Sequence, residues 1–298
     1  MTATASPVAQ AGSGSRLRKA LTSPAGARLT SYVALLGAWF LLAMIEERVP
    51  GPPAVAEFLW IELTGGSHGG VLKGEWVEHI LVTMQRFGLG LVIALVVGVA
   101  VGILIGSSRY FYALVNDTLL VFLALPAVIW AFITVIWFGI GWRAPVWTVV
   151  LAGFPFVAVN VSHGVQAIGS DLRLMSKSFG VPLAKRIRHL ILPAVTGYIF
   201  AGFRFAVIIG WNGVLLAEWF GSANGVGWRT RYWYDANRYQ GFVGWILLFI
   251  VIIVALDRLV LTPLQKRAFR WRDLAGTKIE LEGMLADEVT ALPNESRS

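Results

Sequence analysis

Six stretches of the chain stay apolar for about the thickness of a bilayer's hydrocarbon: Leu29–Ile45, Phe87–Ile105, Val115–Phe138, Val146–Ile168, Leu192–Glu218 and Phe242–Leu261. About 30 Å of hydrocarbon at 1.5 Å per residue needs about 20 helical residues, so each stretch is read as a membrane span. The first is short and has little room to tilt. The third contains Pro126, which removes a helix hydrogen bond and kinks or locally breaks the segment. Between the first two spans, Val49-Pro50-Gly51-Pro52-Pro53 is a rigid turn out of the membrane. Ala54–Leu63 follows as a short helix on the outer surface, and Thr64–Gly74 as a glycine-rich loop. Residues 1–28, rich in Ala, Ser and Gly, read as a disordered cytoplasmic tail and not a cleaved signal peptide. Residues 29–272 form the membrane domain, with a long loop at 169–190. Residues 273–298 form a polar cytoplasmic tail.

Composition makes a soluble reading untenable. The hydrophobic fraction is 56%, charged residues are only 14%, and the mean hydropathy is +0.68. A soluble globule cannot hide that much apolar surface, and 13 Trp with 17 Phe exclude a disordered chain. The absence of cysteine excludes disulfides, thiolate metal sites and Cys nucleophiles. The balance of 25 Lys and Arg against 17 Asp and Glu suits nucleic acid, but basic loops in a membrane protein have a topological cause. With the N-terminus inside, the inner segments carry 17 Lys and Arg and the outer segments 6, which places both termini in the cytoplasm. Nine tryptophans then fall on the outer side: Trp60, Trp76, Trp137, Trp142, Trp147, Trp219, Trp228, Trp233 and Trp245. They read as an interfacial belt, or as a docking face for an extracytoplasmic partner.

Small residues mark where helices approach one another. Gly90, Ala94, Gly98, Gly102 and Gly106 recur every four residues and share one helix face; Gly202, Ala206 and Gly210 repeat the device in the fifth span. A tight bundle follows, with the partner helix in this chain or in another copy.

The loop at 169–190 is basic and amphipathic. Asp171 caps a short helix whose Leu172, Met175 and Phe179 share a face; Gly180 ends it, Pro182 lies beyond, and Lys185, Arg186 and Arg188 follow. Taken by itself, this segment is either an interfacial helix resting on anionic lipid or a contact for a partner protein.

Gly180, nine residues, then Leu190-Ile191-Leu192-Pro193 resembles the loop signature of ATP-binding-cassette (ABC) importer permeases, E-A-A-x3-G-x9-I-x-L-P. Ala201-Gly202-Phe203-Arg204-Phe205-Ala206 and Gly210-Trp211-Asn212-Gly213 through Glu218 are similar to the nitrate, sulfonate and taurine branch. So are Asp117 to Pro126, Trp137–Gly141 and Gly225-Val226-Gly227, in order, across about residues 30–272. The resemblance implies an all-α membrane protein of about six transmembrane helices, a MetI-like ABC permease bundle with a cytoplasmic coupling helix. It implies a second permease chain, a cytoplasmic ABC ATPase and an extracytoplasmic substrate-binding protein as partners, in a bacterial inner membrane. It also makes Asp171, Leu172, Met175, Phe179, Gly180, Pro182 and Lys185 the coupling residues. One departure stands out: Leu174-Met175-Ser176 occupies the Glu-Ala-Ala triplet, so the acidic residue is missing. No Gly-x4-Gly-Lys-Ser/Thr phosphate loop occurs, so the chain needs no cofactor of its own and ATP belongs to the partner.

Ionisable and polar groups inside a span default to functional or pairing roles. Asn160, Arg204, Trp211, Asn212 and Glu218 are the candidates for a translocation pathway. Arg204 either attracts an anionic solute or snorkels to the inner interface. Trp211 either packs or stacks on solute, and His163 is interfacial. No residues have metal-ligand or paired-carboxylate spacing. The expected function is passage of a small anionic sulfonate-, nitrate- or carboxylate-like solute. The alternative is an ATPase-independent secondary carrier or channel, which predicts inverted repeats that the sequence does not display.

Overall fold

The computed structural model describes residues 24–65 and 75–267. The tails expected at 1–23 and 273–298, and the glycine-rich loop over 66–74, lie outside the described residues. Helix α1 spans Pro24–Ile45, so residues 24–28, expected in the tail, are already helical. Gly51 precedes α2, Pro52–Thr64, where two prolines at the first helical turn cost no hydrogen bond. Helix α3 runs Glu75–Ser107, α4 Arg109–Ala124, α5 Ala127–Phe138 and α6 Arg143–Gln166. The segment expected as a loop holds α7, Ser170–Ser178, and α8, Leu183–Arg186. A π-helical turn, Ile187–Ile191, joins α8 to α9, Leu192–Gly221. Helices α10, Val226–Asp235, and α11, Tyr239–Leu256, complete the described fold, followed by a second π-helical turn at Asp257–Leu261. Among the described residues there is no strand, and five helices are long and apolar enough to cross a membrane.

The third expected span is a bent pair and not one kinked helix. Helices α4 and α5 meet at 101° around Leu125-Pro126. Proline disfavours the helical conformation in the residue before it, and Leu125 is extended (φ −75°, ψ 124°). Counted together as one broken span, the pair brings the candidate crossings among the described residues to six.

Helix α6 is the axis of the bundle. A Cβ added to Gly90, Gly98 or Gly106 would lie 2.6 Å from the Cβ of Val149, Val157 or Val165 respectively, and one at Gly102 2.7 Å from that of Val161. Ala94 fits the same row, beside Gly153. The stripe therefore packs within the chain, and the ascending register makes α3 and α6 parallel. On the other side Gly202 faces Val157, Ala206 faces Gly153 and Gly210 faces Val149, a descending register, so α9 is antiparallel to α6. Alternate glycines and valines bring backbones together where lipid offers no hydrophobic drive for helix association. Two parallel helices in sequence require a return between them, which α4 and α5 provide.

This register defines two ends of the bundle. At the near end α3 and α6 finish, α9 begins, and α7 lies. At the far end α9 finishes, and Gly141 N–H donates to the Gly221 carbonyl at 2.7 Å. Trp245, expected in an interfacial belt, is fully enclosed in the core at the far end, beside the His79 ring. Trp60, Trp137 and Trp142 remain exposed.

Candidate functional site

Three places collect the chemistry-bearing residues. The first is the near-end segment. Gly169, not Asp171, occupies the cap of α7, because the chain is still extended at Gly169 and helical from Ser170. Asp171 sits in the first turn, where its charge meets the positive end of the helix, and its Oδ1 accepts the Ser170 hydroxyl at 3.2 Å. Gly180 turns the chain at φ +63°, a left-handed conformation that costs a side chain about 1–2 kcal/mol. Its N–H donates to the Lys177 carbonyl at 2.9 Å, which closes the helix; Pro182 then starts α8, and Lys185 is exposed on it. A surface helix ordinarily turns its apolar stripe to the body of its own protein. Here Leu172, Met175 and Phe179 are 50%, 54% and 77% exposed, while Arg173, Ser176 and Lys177 line a cavity against the ends of α3 and α6. The helix thus keeps an uncovered apolar stripe.

The second place is a cavity of about 440 Å³ between α9 and α11. That volume falls within the roughly 300–1,000 Å³ typical of small-molecule sites. Of the five residues expected along a pathway, Arg204, Trp211 and Asn212 line it. Asp257 and Arg258, which the sequence reading did not single out, complete the polar lining from the π-helical turn after α11. The Asn212 amide donates to the Ile208 carbonyl at 3.0 Å, and Trp211 stacks on Phe249 with ring centroids 4.3 Å apart. Asn160 lies elsewhere, against Gly202, its amide donating to the Phe156 carbonyl at 2.8 Å.

The third place is the far-end network around Glu218, which was expected to face a pathway. Glu218 is instead wholly enclosed, with 0% of its surface accessible. Arg86, 2% accessible, donates from Nη1 to Glu218 Oε1 at 2.8 Å. Thr83 donates its hydroxyl to the same carboxylate (2.9 Å to Oε2), and Gly227 N–H donates to Oε2 at 3.0 Å. Arg86 also donates to the Asn224 carbonyl and side chain, at 3.0 and 2.6 Å. Val226 N–H donates to Thr83 Oγ1 at 2.8 Å, and Gly225 N–H to His79 Nδ1 at 3.1 Å. At Gly225 (φ +103°) and Gly227 a Cβ would collide with Glu218, so both glycines serve close backbone approach. The network clamps the turn between α9 and α10 onto α3. Its signal in the sequence was the row His79, Thr83, Arg86, which share one face of α3 at helical spacing.

Comparison with known proteins adds the context. The profile of the family described as binding-protein-dependent transport system inner membrane component matches residues 98–266. The chain is 26% identical over 207 residues to the putative aliphatic sulfonates transport permease protein SsuC of Bacillus subtilis, covering 68% of this chain and 73% of that protein. It is 25% identical over 234 residues to the nitrate import permease protein NrtB of Synechococcus elongatus, covering 76% and 83%. Among solved structures, an inward facing conformation of the MetNI methionine ABC transporter superposes with a TM-score of 0.57 at 18% identity. The superposition covers 66% of this chain and 97% of that one and establishes a shared fold.

Proposed function

Because this chain belongs to the binding-protein-dependent transport system inner membrane components, the permeases of ABC importers, we propose that it carries a small anionic solute across the bacterial inner membrane as one half of a permease pair. It is a transport subunit and not an enzyme, and its fold is the all-α ABC permease bundle. A cytoplasmic ATPase supplies the energy and an extracytoplasmic binding protein delivers the solute, in keeping with the family. Both termini lie in the cytoplasm on this reading, as the distribution of Lys and Arg supports.

The observation that carries the reading is the uncovered apolar stripe of α7. Leu172, Met175 and Phe179 form an anchor at helical spacing that suits the groove of a partner protein, the recurring way one helix docks on another protein. Asp171 and the Gly180-Pro182 turn set its direction, and Lys185 flanks it. A partner that grips this stripe and moves when it binds ATP displaces α7, and the α8–α9 rod follows as a rigid body. Leu174 stands where the family signature has its acid, so apolar contact replaces the usual charge there.

The cargo class follows from the cavity between α9 and α11. Its lining holds two guanidiniums, Arg204 and Arg258, against one carboxylate, Asp257. That balance attracts an anion, and relatives named for sulfonates and nitrate carry the same charge type. Trp211 is nearly enclosed and serves as a wall, while Asn212 offers an amide donor and acceptor. Asn160 and Glu218 have no place in this cavity and act as packing and clamping residues.

Two variants separate coupling from cargo in reconstituted proteoliposomes containing the ATPase, the binding protein and labelled solute. The triple change Leu172→Ser, Met175→Ser and Phe179→Ser is expected to abolish co-purification of the ATPase while leaving the permease folded. Arg204→Gln is expected to keep the ATPase bound and to lower uptake at least tenfold. Unchanged ATPase association in the triple variant overturns the coupling assignment. Solute uptake without any ATPase would favour the secondary-carrier reading instead.

A further inference from the structure

The near end holds a second cavity that neither coupling nor cargo uses. It measures about 260 Å³ and is lined by Ser107 at the end of α3, by Arg173, Ser176 and Lys177 of α7, and by Leu183 and Arg186 of α8. Three cations and two hydroxyls face it, and among the described residues no Asp or Glu lines it. Asp171 points away: it is exposed and taken up by the Ser170 hydroxyl. On a helical wheel the Arg173, Ser176 and Lys177 side of α7 stands about 120° from the Leu172, Met175 and Phe179 stripe, so an occupant here leaves the stripe free.

Two donors in this cluster are unmet. Arg173 Nη2 and Arg186 Nε are shielded from solvent and have no hydrogen-bond partner among the described residues. Buried polar atoms are almost always paired, and a charged donor out of reach of water is the most costly to leave alone. Ser176 already donates its hydroxyl to the Arg173 carbonyl at 2.8 Å, so its oxygen can only accept there. What the cavity lacks is an acceptor with several oxygens and negative charge. Guanidinium groups meet such a group in paired, in-plane hydrogen bonds.

We propose that this cavity binds a phosphate-class oxyanion through Arg173, Arg186 and Lys177. The oxyanion ties α7 to the inner end of α3 and stiffens the segment that meets the partner. Its source is either the headgroup of an anionic phospholipid or a free oxyanion in solution. The cavity opens beside Ser107, the last residue of α3 and two residues past the apolar stretch that ends at Ile105; with this end inside, as the charge bias supports, it matches the basic clefts between membrane helices that bind such headgroups on the cytoplasmic side. Binding of the oxyanion rests on the cavity's own lining, whereas its effect on the partner contact rests on the transport reading.

The test uses the full chain purified in neutral detergent. One arm follows retention of phosphatidylglycerol by native mass spectrometry. The other follows the thermal midpoint against inorganic phosphate at constant ionic strength. Wild type and Arg188→Gln, which removes a neighbouring base outside the cavity, are expected to bind alike. The double variant Arg173→Gln/Arg186→Gln is expected to bind at least tenfold more weakly. Ser107→Glu keeps every base and puts a carboxylate beside the arginines. It is expected to raise the ligand-free midpoint and to abolish ligand binding, which guards against mere misfolding of the double variant. Retention of lipid without a response to phosphate assigns the headgroup; a response to inorganic phosphate assigns a soluble oxyanion. No binding in either arm, or binding equal in the double variant and Arg188→Gln, overturns the proposal.

Discussion

Arg86 and Glu218 are 132 residues apart in the chain and 2.8 Å apart in the fold. Removing one partner of a buried ion pair strands the other charge, at a typical cost of about 3–5 kcal/mol, whereas replacing both with apolar residues is far less harmful. Thermal unfolding of Arg86→Met, Glu218→Met and the double variant is therefore expected to show two severe single effects and a double effect well below their sum. Additive effects would contradict the clamp. Small residues supply the opposite case. Gly98→Leu drives a side chain into Val157 and the Phe154 carbonyl, and overpacking of that kind costs about 1–3 kcal/mol or more. Gly37, which faces no atom within 4 Å, is the control, and its change to Leu should leave the unfolding midpoint nearly unmoved. The glycine stripe was legible in the sequence because periodicity survives without knowledge of the partner. The ion pair was not, because nothing local links Arg86 to Glu218.

At the scale of elements, the short helix, the glycine and the proline of the near-end segment were readable from their order along the chain. Propensity and caps act over a few residues, so sequence carries them well. The cap itself moved from Asp171 to Gly169, a shift of the size that helix ends commonly show. Gly180→Val forces a branched side chain into φ +63°. It is expected to loosen the turn, expose 169–190 to limited proteolysis, and weaken ATPase co-purification; Gly180→Asn, which tolerates that conformation, should retain most of it. The third span shows the limit of such reading. Pro126 announced an interruption, but a 101° bend between α4 and α5 depends on what the two halves pack against.

The molecule as a whole has a direction that its register constrains only in relative terms. Parallel α3 and α6 with antiparallel α9 fix which helix ends share a side, and the excess of Lys and Arg supports the cytoplasm for the near end. The chain has no cysteine, so single-cysteine variants report sidedness cleanly. Lys177→Cys should react with a membrane-impermeant maleimide only in inside-out vesicles. Trp142→Cys, exposed at the far end, should react only in right-side-out cells. The reverse pattern would invert the topology and overturn the proposed coupling role of α7.

The close-packing faces, the basic near-end segment and the family likeness were determined by the sequence alone. Each depends on hydrophobicity or residue size repeated at helical spacing, and such patterns are local. Only the tertiary structure decided that the glycine stripe packs on α6 of the same chain, and that Glu218 closes a buried clamp with Arg86. The same holds for the joining of Asp257 and Arg258 to Arg204, and of Arg173 and Arg186 around one cavity. Those outcomes join residues from distant spans, and in lipid they are set by which backbones can approach and which buried charges find partners.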